Sequence, residues 1–460
     1  MSDLNKENKM GKLPIKKLLF TMSMPAILAM LVQACYNIVD SLFIARVNEA
    51  ALSAVTLAFP IQMIIIAVCV GGGVGINSVI SRKLGEGKNK EADNVAEHGI
   101  LIMSLVYLAV LVIAFLFSHK MFNNFSNNKI VVDYGITYIR IILNFSFGCM
   151  LAQAGMSILQ GTGDMLHPMK AQLIGAISNI ILDPILIFGY FGLPAMGVAG
   201  AAIATVTGQI LSMVYIYIIL FTKENYIKLN LRDFSFSFSV IKQILKIGIP
   251  ACIMQGVMSV MLFGMNWILA GYNDLASTAL GIYYKLQSLI FLPVIGLGQG
   301  ILPIIGYNYG AKNKDRISET IKTGCLWAIS FMTFGFIVFQ IFPYQLLAMF
   351  NSSSELTTIA VRAFRVSSLS FPMAGITIVL SNAFQGMEKA HYSMFLSIIR
   401  QFIVLIPVSY VLGRFFGLEY LWFGFLTSET IGFIVAILME KLIYSKKLSK
   451  YELGVQKRFV

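Results

Sequence analysis

Charge is scarce in this chain. Of its 460 residues only 12% are Asp, Glu, Lys or Arg, about half the share usual in soluble domains. Cysteine is almost as rare. Cys35, Cys69, Cys149, Cys252 and Cys325 all lie in apolar runs and form no C-x-x-C pair, which excludes a disulfide framework and a thiolate metal centre and leaves small core residues. The four histidines, His98, His119, His167 and His391, are scattered over loop regions and span ends. They supply no cluster of nucleophile, base and metal ligands, so a membrane enzyme is disfavoured. A phosphate-binding loop is missing too. GGGVG (71–75) and GLGQG (296–300) lack the strand before and the Lys-Ser/Thr after that such a loop needs. No nucleotide powers this protein by any motif it carries, and no cofactor is expected.

What fills the chain is hydrophobic: 57% of residues, a mean hydropathy of +0.77, and many apolar runs long enough to cross a bilayer. The fold class read from this is an all-α polytopic membrane protein. The first 17 residues are lysine-rich like the start of a signal peptide, but the apolar segment from Leu18 to Ile44 is too long for one and is read as the first span. Twelve spans are expected: 18–44, 52–81, 97–118, 133–159, 168–190, 195–221, 243–269, 277–308, 319–342, 358–385, 392–416 and 420–443. Trp267 and Trp422 fall near span ends, where interfacial anchors sit.

Lys and Arg set the orientation. The odd-numbered loops hold only Arg46, Lys120, Lys129 and Arg414, whereas the termini and even-numbered loops hold most of the rest. The positive-inside rule then puts both termini in the cytoplasm. The net charge of +13 is thereby a topology signal and an attraction to anionic lipid, not a nucleic-acid footprint.

The halves repeat. At a shift of 225 residues Pro25 falls on Pro250, Ala45 on Ala270, Asn48 on Asn273, Ala54 on Ala279 and Gln62 on Gln287. Gly71, Gly73, Gly75 and Gly85 fall on Gly296, Gly298, Gly300 and Gly310; Gln160-Gly161 falls on Gln385-Gly386 and Gly192 on Gly417. Each half has an even number of spans, so both insert the same way, related by a pseudo-two-fold axis along the membrane normal. The expected domains are a six-helix lobe 1–222, a cytoplasmic linker 223–242, and a second six-helix lobe 243–460 with a basic tail. Repeated bundles of this kind belong to transporters. The glycine pairs are read as close helix contacts.

Polar residues inside the spans carry the chemistry. Residues 171–192 form an apolar run interrupted by Asn179 and Asp183, one helical turn apart, with Pro184 next. Pro184 has no N–H, so the carbonyl of Ile180 loses its helical partner. Leaving an Asp in hydrocarbon costs roughly 2.5–3.5 kcal/mol even on the lenient insertion scale, and a cation or proton is the simplest offset. In span 1, Tyr36, Asn37 and Asp40 make a second polar face. Asp40 either caps the outer end of span 1 near Arg46 or shares a pocket with Asp183. Two carboxylates in one desolvated pocket cannot both stay charged near neutral pH without a counterion.

The second half differs. Met265 stands at the counterpart of Asp40 and Val408 at that of Asp183, which confines coupling to the first lobe. There Lys285 in span 8 and Glu429 in span 12 are expected to neutralise one another as a structural pair or line a cavity, and Arg140 and Arg400 to be structural or snorkelling. Met258, Met261 and Met265 share a stripe of span 7 that would suit flat cations.

YNIVDSLFIA (36–45), QGTGD (160–164), SNIILDPILIFG (178–189) followed by GVAGAAIAT (197–205), and RQFIVLIPVSYVLG (400–413) resemble the multidrug and toxic compound extrusion (MATE) transporters over the whole chain. Asp40 with Asn179 and Asp183 is similar to the N-lobe cation-site pattern of the MepA-like and DinF-like branch. The acids that the NorM-like branch carries in spans 7 and 10 have no match. The resemblance implies export of diverse, often cationic small molecules in exchange for H⁺ or Na⁺, with Asp40, Asp183 and Asn179 as metal ligands in the sodium case. It also brings a span-6 hydroxyl, Thr205, to the site. The expected protein is a monomer of the plasma membrane with drugs and lipid as its partners. The alternative is a flippase for a lipid-linked precursor, which would call for a strongly basic cavity where only Arg140, Lys285 and Arg400 are on offer.

Overall fold

The computed structural model describes residues 8–125, 128–222, 226–230, 234–350 and 353–443, the side chains of 113–125 excepted. The basic tail, the side chain of Lys120 and parts of the linker (223–225, 231–233) lie outside the described residues. Every regular element described is a helix. Ten helices are long and apolar enough to cross a membrane, and two bent pairs bring the number to twelve. We number them α1 (Ile15–Ala45), α2 (Glu49–Gly85), α3 (Asn89–Phe125), α4 (Lys129–Asn144 with Phe147–Gly161), α5 (Leu166–Phe188) and α6 (Val198–Thr222). The second repeat has α7 (Phe238–Ala270), α8 (Asp274–Gly310), α9 (Lys314–Ile341), α10 (Ser354–Ser368 with Phe371–Gly386), α11 (Ala390–Phe416) and α12 (Leu418–Ile443).

The 225-residue repeat is built into local geometry. Helices α2 and α8 are both 37 residues long. Each starts on an asparagine whose Oδ1 accepts a first-turn N–H: Asn48 from Ala51 at 2.7 Å, Asn273 from Ala276 at 2.8 Å. The bends also match, 42° in α4 and 51° in α10. At each break a buried serine hydroxyl donates to the carbonyl three residues back, Ser146 to Leu143 at 2.9 Å and Ser370 to Ser367 at 2.6 Å. The same carbonyls also accept the serine's own N–H, at 3.3 and 3.2 Å, so backbone and hydroxyl together close each break.

The chain packs into two compact units, Leu28–Cys252 and Met1–Ile27 with Ile253–Val460. They differ from the lobes 1–222 and 243–460 expected from the repeat, because the division passes within α1 and α7. The glycine stripes explain why. A Cβ at Gly71 or Gly75 of α2 would lie 2.7 or 2.5 Å from backbone atoms of α7, at Gly248 and Ile244. In the other unit a Cβ at Gly296 of α8 would lie 2.8 Å from the Ile27 backbone, and one at Gly300 would lie 2.5 Å from Ser23 Oγ. Each stripe thus seats the first part of the other repeat's leading helix at a distance no side chain permits.

Two expectations about individual side chains fail. Trp422 is fully buried and stacks with Phe425, so it is core and not an interfacial anchor. Trp267, by contrast, is exposed. Of the methionine stripe only Met258 is exposed; Met261 and Met265 are buried, and Met261 Sδ accepts the Tyr284 hydroxyl at 3.0 Å. The stripe is thus covered by packing at Met261 and Met265 and open only at Met258.

Candidate functional site

Asp40 and Asp183 meet. Asp40 sits on α1 five residues before its end, and Asp183 lies fully buried on α5. Their carboxyl groups are close enough to interact directly. The capping role for Asp40 is thus not the one adopted. Oδ1 of each acid is buried and has no hydrogen-bond partner in the protein.

The remaining oxygen of Asp183 is held by its neighbour. In the satisfied orientation of the Asn179 amide, its NH₂ donates to Asp183 Oδ2 at 2.7 Å, and its carbonyl accepts the Thr205 backbone N–H at 2.9 Å. The Thr205 hydroxyl lies 3.2 Å from the same amide and donates to the Ala201 carbonyl at 3.0 Å. Helix α6 comes this near because Gly208 has no side chain: a Cβ there would lie 2.5 Å from the Gly175 carbonyl of α5. Tyr36 lies within reach of Thr205 and Asp40. The i, i+4 reading of Asn179 and Asp183 therefore describes a real bond, and Thr205 joins it.

Asn37 does not join. It is exposed, and its Oδ1 accepts from Gln33 Nε2 at 3.3 Å, while Gln172 Nε2 of α5 donates to Gln33 Oε1 at 3.1 Å. These amides tie α1 to α5 apart from the acids. Two residues not foreseen do belong: the buried Tyr138 of α4 lies within electrostatic reach of both carboxylates, and its hydroxyl accepts from Gln62 Nε2 of α2 at 2.9 Å. Gln62 carried a faint signal in its repeat at Gln287; Tyr138 carried none.

The pairing of Lys285 with Glu429 is not observed. Glu429 Oε2 lies 3.3 Å from Arg400 Nη1, while Lys285 is exposed. Arg400 reaches Glu429 from a π-wound stretch of α11, Ile398–Leu405, which a regular helical wheel cannot represent.

Two carboxyls in contact, each with an unpartnered oxygen, suit a proton or one small hard cation. Amide, hydroxyl and carboxylate oxygens are the ligands such ions take. Among the described residues no three His, Cys, Asp or Glu side chains gather as a transition-metal site requires.

A twelve-span bundle of two repeats, with a buried acid pair in one of them, is the architecture of a secondary transporter. The chain belongs to the MatE family of multidrug efflux transporters, whose profile matches residues 25–185 and 250–411. It is 26% identical over 421 residues to a probable multidrug resistance protein NorM of Thermotoga maritima (90% of this chain, 89% of that one). Over 432 residues it is 26% identical to the multidrug export protein MepA of Staphylococcus haemolyticus (94% of each). A FAD transporter of Shewanella oneidensis is 23% identical over 397 residues (86% and 88%). Among solved structures, an outward-facing multidrug resistance MATE transporter of the MOP superfamily superposes with a TM-score of 0.91 at 26% identity, covering 98% of this chain and all of that one.

Proposed function

We propose that the protein is a cation-coupled multidrug antiporter of the plasma membrane, with both termini in the cytoplasm, exporting amphipathic and often cationic compounds by alternating access. The observation that carries this reading is the contact between Asp40 and Asp183, each acid with one buried, unpartnered oxygen. In the outward-facing state a proton or Na⁺ binds the pair and cancels one of its negative charges, with Asn179 holding Asp183 in place. Loss of that charge lets α1 and α5 repack, releases drug outward and favours reopening to the inside, a local charge change acting on a bistable bundle. For neutral cargo the energetics suffice: a tenfold gradient costs about 1.4 kcal/mol, and one charge crossing 100 mV supplies about 2.3 kcal/mol. An outgoing monovalent cation needs the chemical gradient of the coupling ion as well, or a second coupling ion.

The test is ethidium efflux from proteoliposomes under an imposed pH or Na⁺ gradient, comparing wild type with Asp183→Asn. Efflux driven by one gradient and abolished in the variant supports the reading and names the ion. If neither gradient moves ethidium, multidrug antiport is wrong. Because one relative is named a FAD transporter, flavin adenine dinucleotide belongs in the same assay.

A further inference from the structure

The Arg400–Glu429 pair has no part in that scheme, and its surroundings are those of a site. Helices α11 and α12 are the repeats of α5 and α6. Thr430 stands 225 residues after Thr205 and donates to Leu426 at 2.7 Å, as Thr205 donates to Ala201. Where the first repeat sets an amide and an acid between these helices, the second sets a guanidinium and an acid.

Three features separate this pair from an ordinary structural bridge. The first is incomplete pairing: a guanidinium has five N–H donors in a planar fork that fits a carboxylate bidentately. Here a single 3.3 Å contact reaches Glu429, and the buried Nε has no protein acceptor. The following residue, Gln401, likewise has a buried Oε1 without a donor. The second is construction. The π-wound stretch precedes Pro407, whose ring would clash with the carbonyl four residues back in a regular helix. Ser428 Oγ donates to the Arg400 carbonyl at 2.5 Å, and the stem of Arg400 crosses Gly432, where a Cβ would lie 3.0 Å from Arg400 Cδ. The third is exposure: the side chains of Arg400 and Glu429 are 15% and 18% exposed, buried enough to strengthen a charge contact yet not sealed.

We propose that Arg400 is a carboxylate-binding subsite of the second repeat, with Glu429 as its exchangeable internal counterion. Anionic and zwitterionic amphiphiles dock a carboxylate on the free edge of the guanidinium, and Glu429 turns to any cationic group the same molecule carries. The subsite deepens the export reading above and rests on it for its role in transport, but binding can be measured without transport.

The experiment uses the full chain in detergent and two matched probes, a rhodamine bearing a free carboxylate and its methyl ester. Wild type is expected to bind the acid more tightly than the ester. Arg400→Gln weakens binding of the acid about tenfold or more, as loss of one charge-assisted hydrogen bond dictates, and leaves the ester within about twofold. Glu429→Gln acts with the opposite sign: it frees the guanidinium and tightens binding of the acid. Gly432→Ala, which crowds the arginine stem, mimics Arg400→Gln more weakly and serves if that variant does not fold. A purely structural pair predicts instead that both variants impair acid and ester alike, or neither, and either result overturns the subsite. Gradient-driven ethidium efflux is read in parallel. Its absence in wild type counts against the coupling scheme alone, because the binding comparison does not depend on transport.

Discussion

Asn179 stands between two helices as a relay: its NH₂ holds Asp183 Oδ2 at 2.7 Å and its carbonyl holds the Thr205 N–H at 2.9 Å. One amide thus fixes one oxygen of the buried acid and leaves the other for a cation. Replacing it with Ala removes the donor to Asp183 and the acceptor that faces the Thr205 N–H. Asn179→Ala is expected to lower gradient-driven ethidium efflux by about tenfold or more, while ethidium binding without a gradient stays close to wild type. An equal loss of both would show that the amide serves binding rather than coupling.

Tyr138 and Gln62 define a second test. Tyr138→Phe deletes the hydroxyl that faces the carboxylates, and Gln62→Leu leaves that hydroxyl without its donor. If the pair tunes the acids through one bond, the two variants shift the pH dependence of efflux in the same direction, and the double variant adds little, since residues sharing a bond do not contribute additively. Additive shifts would mean separate roles.

The paired caps predict equal stability effects. Asn48→Ala and Asn273→Ala each remove one cap and should each cost about 1 kcal/mol, seen as matching decreases in melting temperature. The double variant should show the sum, because the caps share no partner.

The linker is tethered by side chains of α3. Asp93 Oδ1 accepts from the Lys228 N–H at 2.8 Å, Glu97 Oε1 from Asn230 at 3.0 Å and His98 Nε2 from Ser237 at 2.8 Å. Asp93→Ala combined with Glu97→Ala should release the strap and hasten tryptic cleavage at Lys228. Glu97→Gln keeps an acceptor oxygen and should leave the cleavage rate near wild type.

Spans and repeat were legible because hydropathy and a constant offset are properties of the chain itself. The Asn179–Asp183 bond was legible because i, i+4 geometry is local, whereas the sequence left Asp40 between a helix-end cap and a pocket shared with Asp183, since that choice depends on how α1 and α5 pack. What could not be read depended on rotation about helix axes. In a bilayer protein apolar residues occupy lipid-facing and core-facing sides alike, so no amphipathic pattern distinguished the buried Met261 and Met265 from the exposed Met258. Glu429 and Lys285 pair in the sequence only because each is a costly lone charge in its span; that Arg400 is the cation reaching Glu429 depends on how α11 and α12 pack. Asn37 was misplaced by one step around the same axis: Tyr36 turns toward Thr205, whereas Asn37 turns to Gln33.

The two glycine stripes bear on ancestry and assembly. Since each stripe seats a segment encoded in the other repeat, neither repeat alone contains a finished unit. A chain severed within 223–242 would yield two fragments that each lack a helix end and present an uncovered groove. Expressed apart, both should be substrates for quality-control proteases; expressed together, they should rescue one another. By the same logic, a single-repeat ancestor could have completed its bundle only by exchanging helix ends with a second copy of itself, so association would have preceded the fusion that made it permanent.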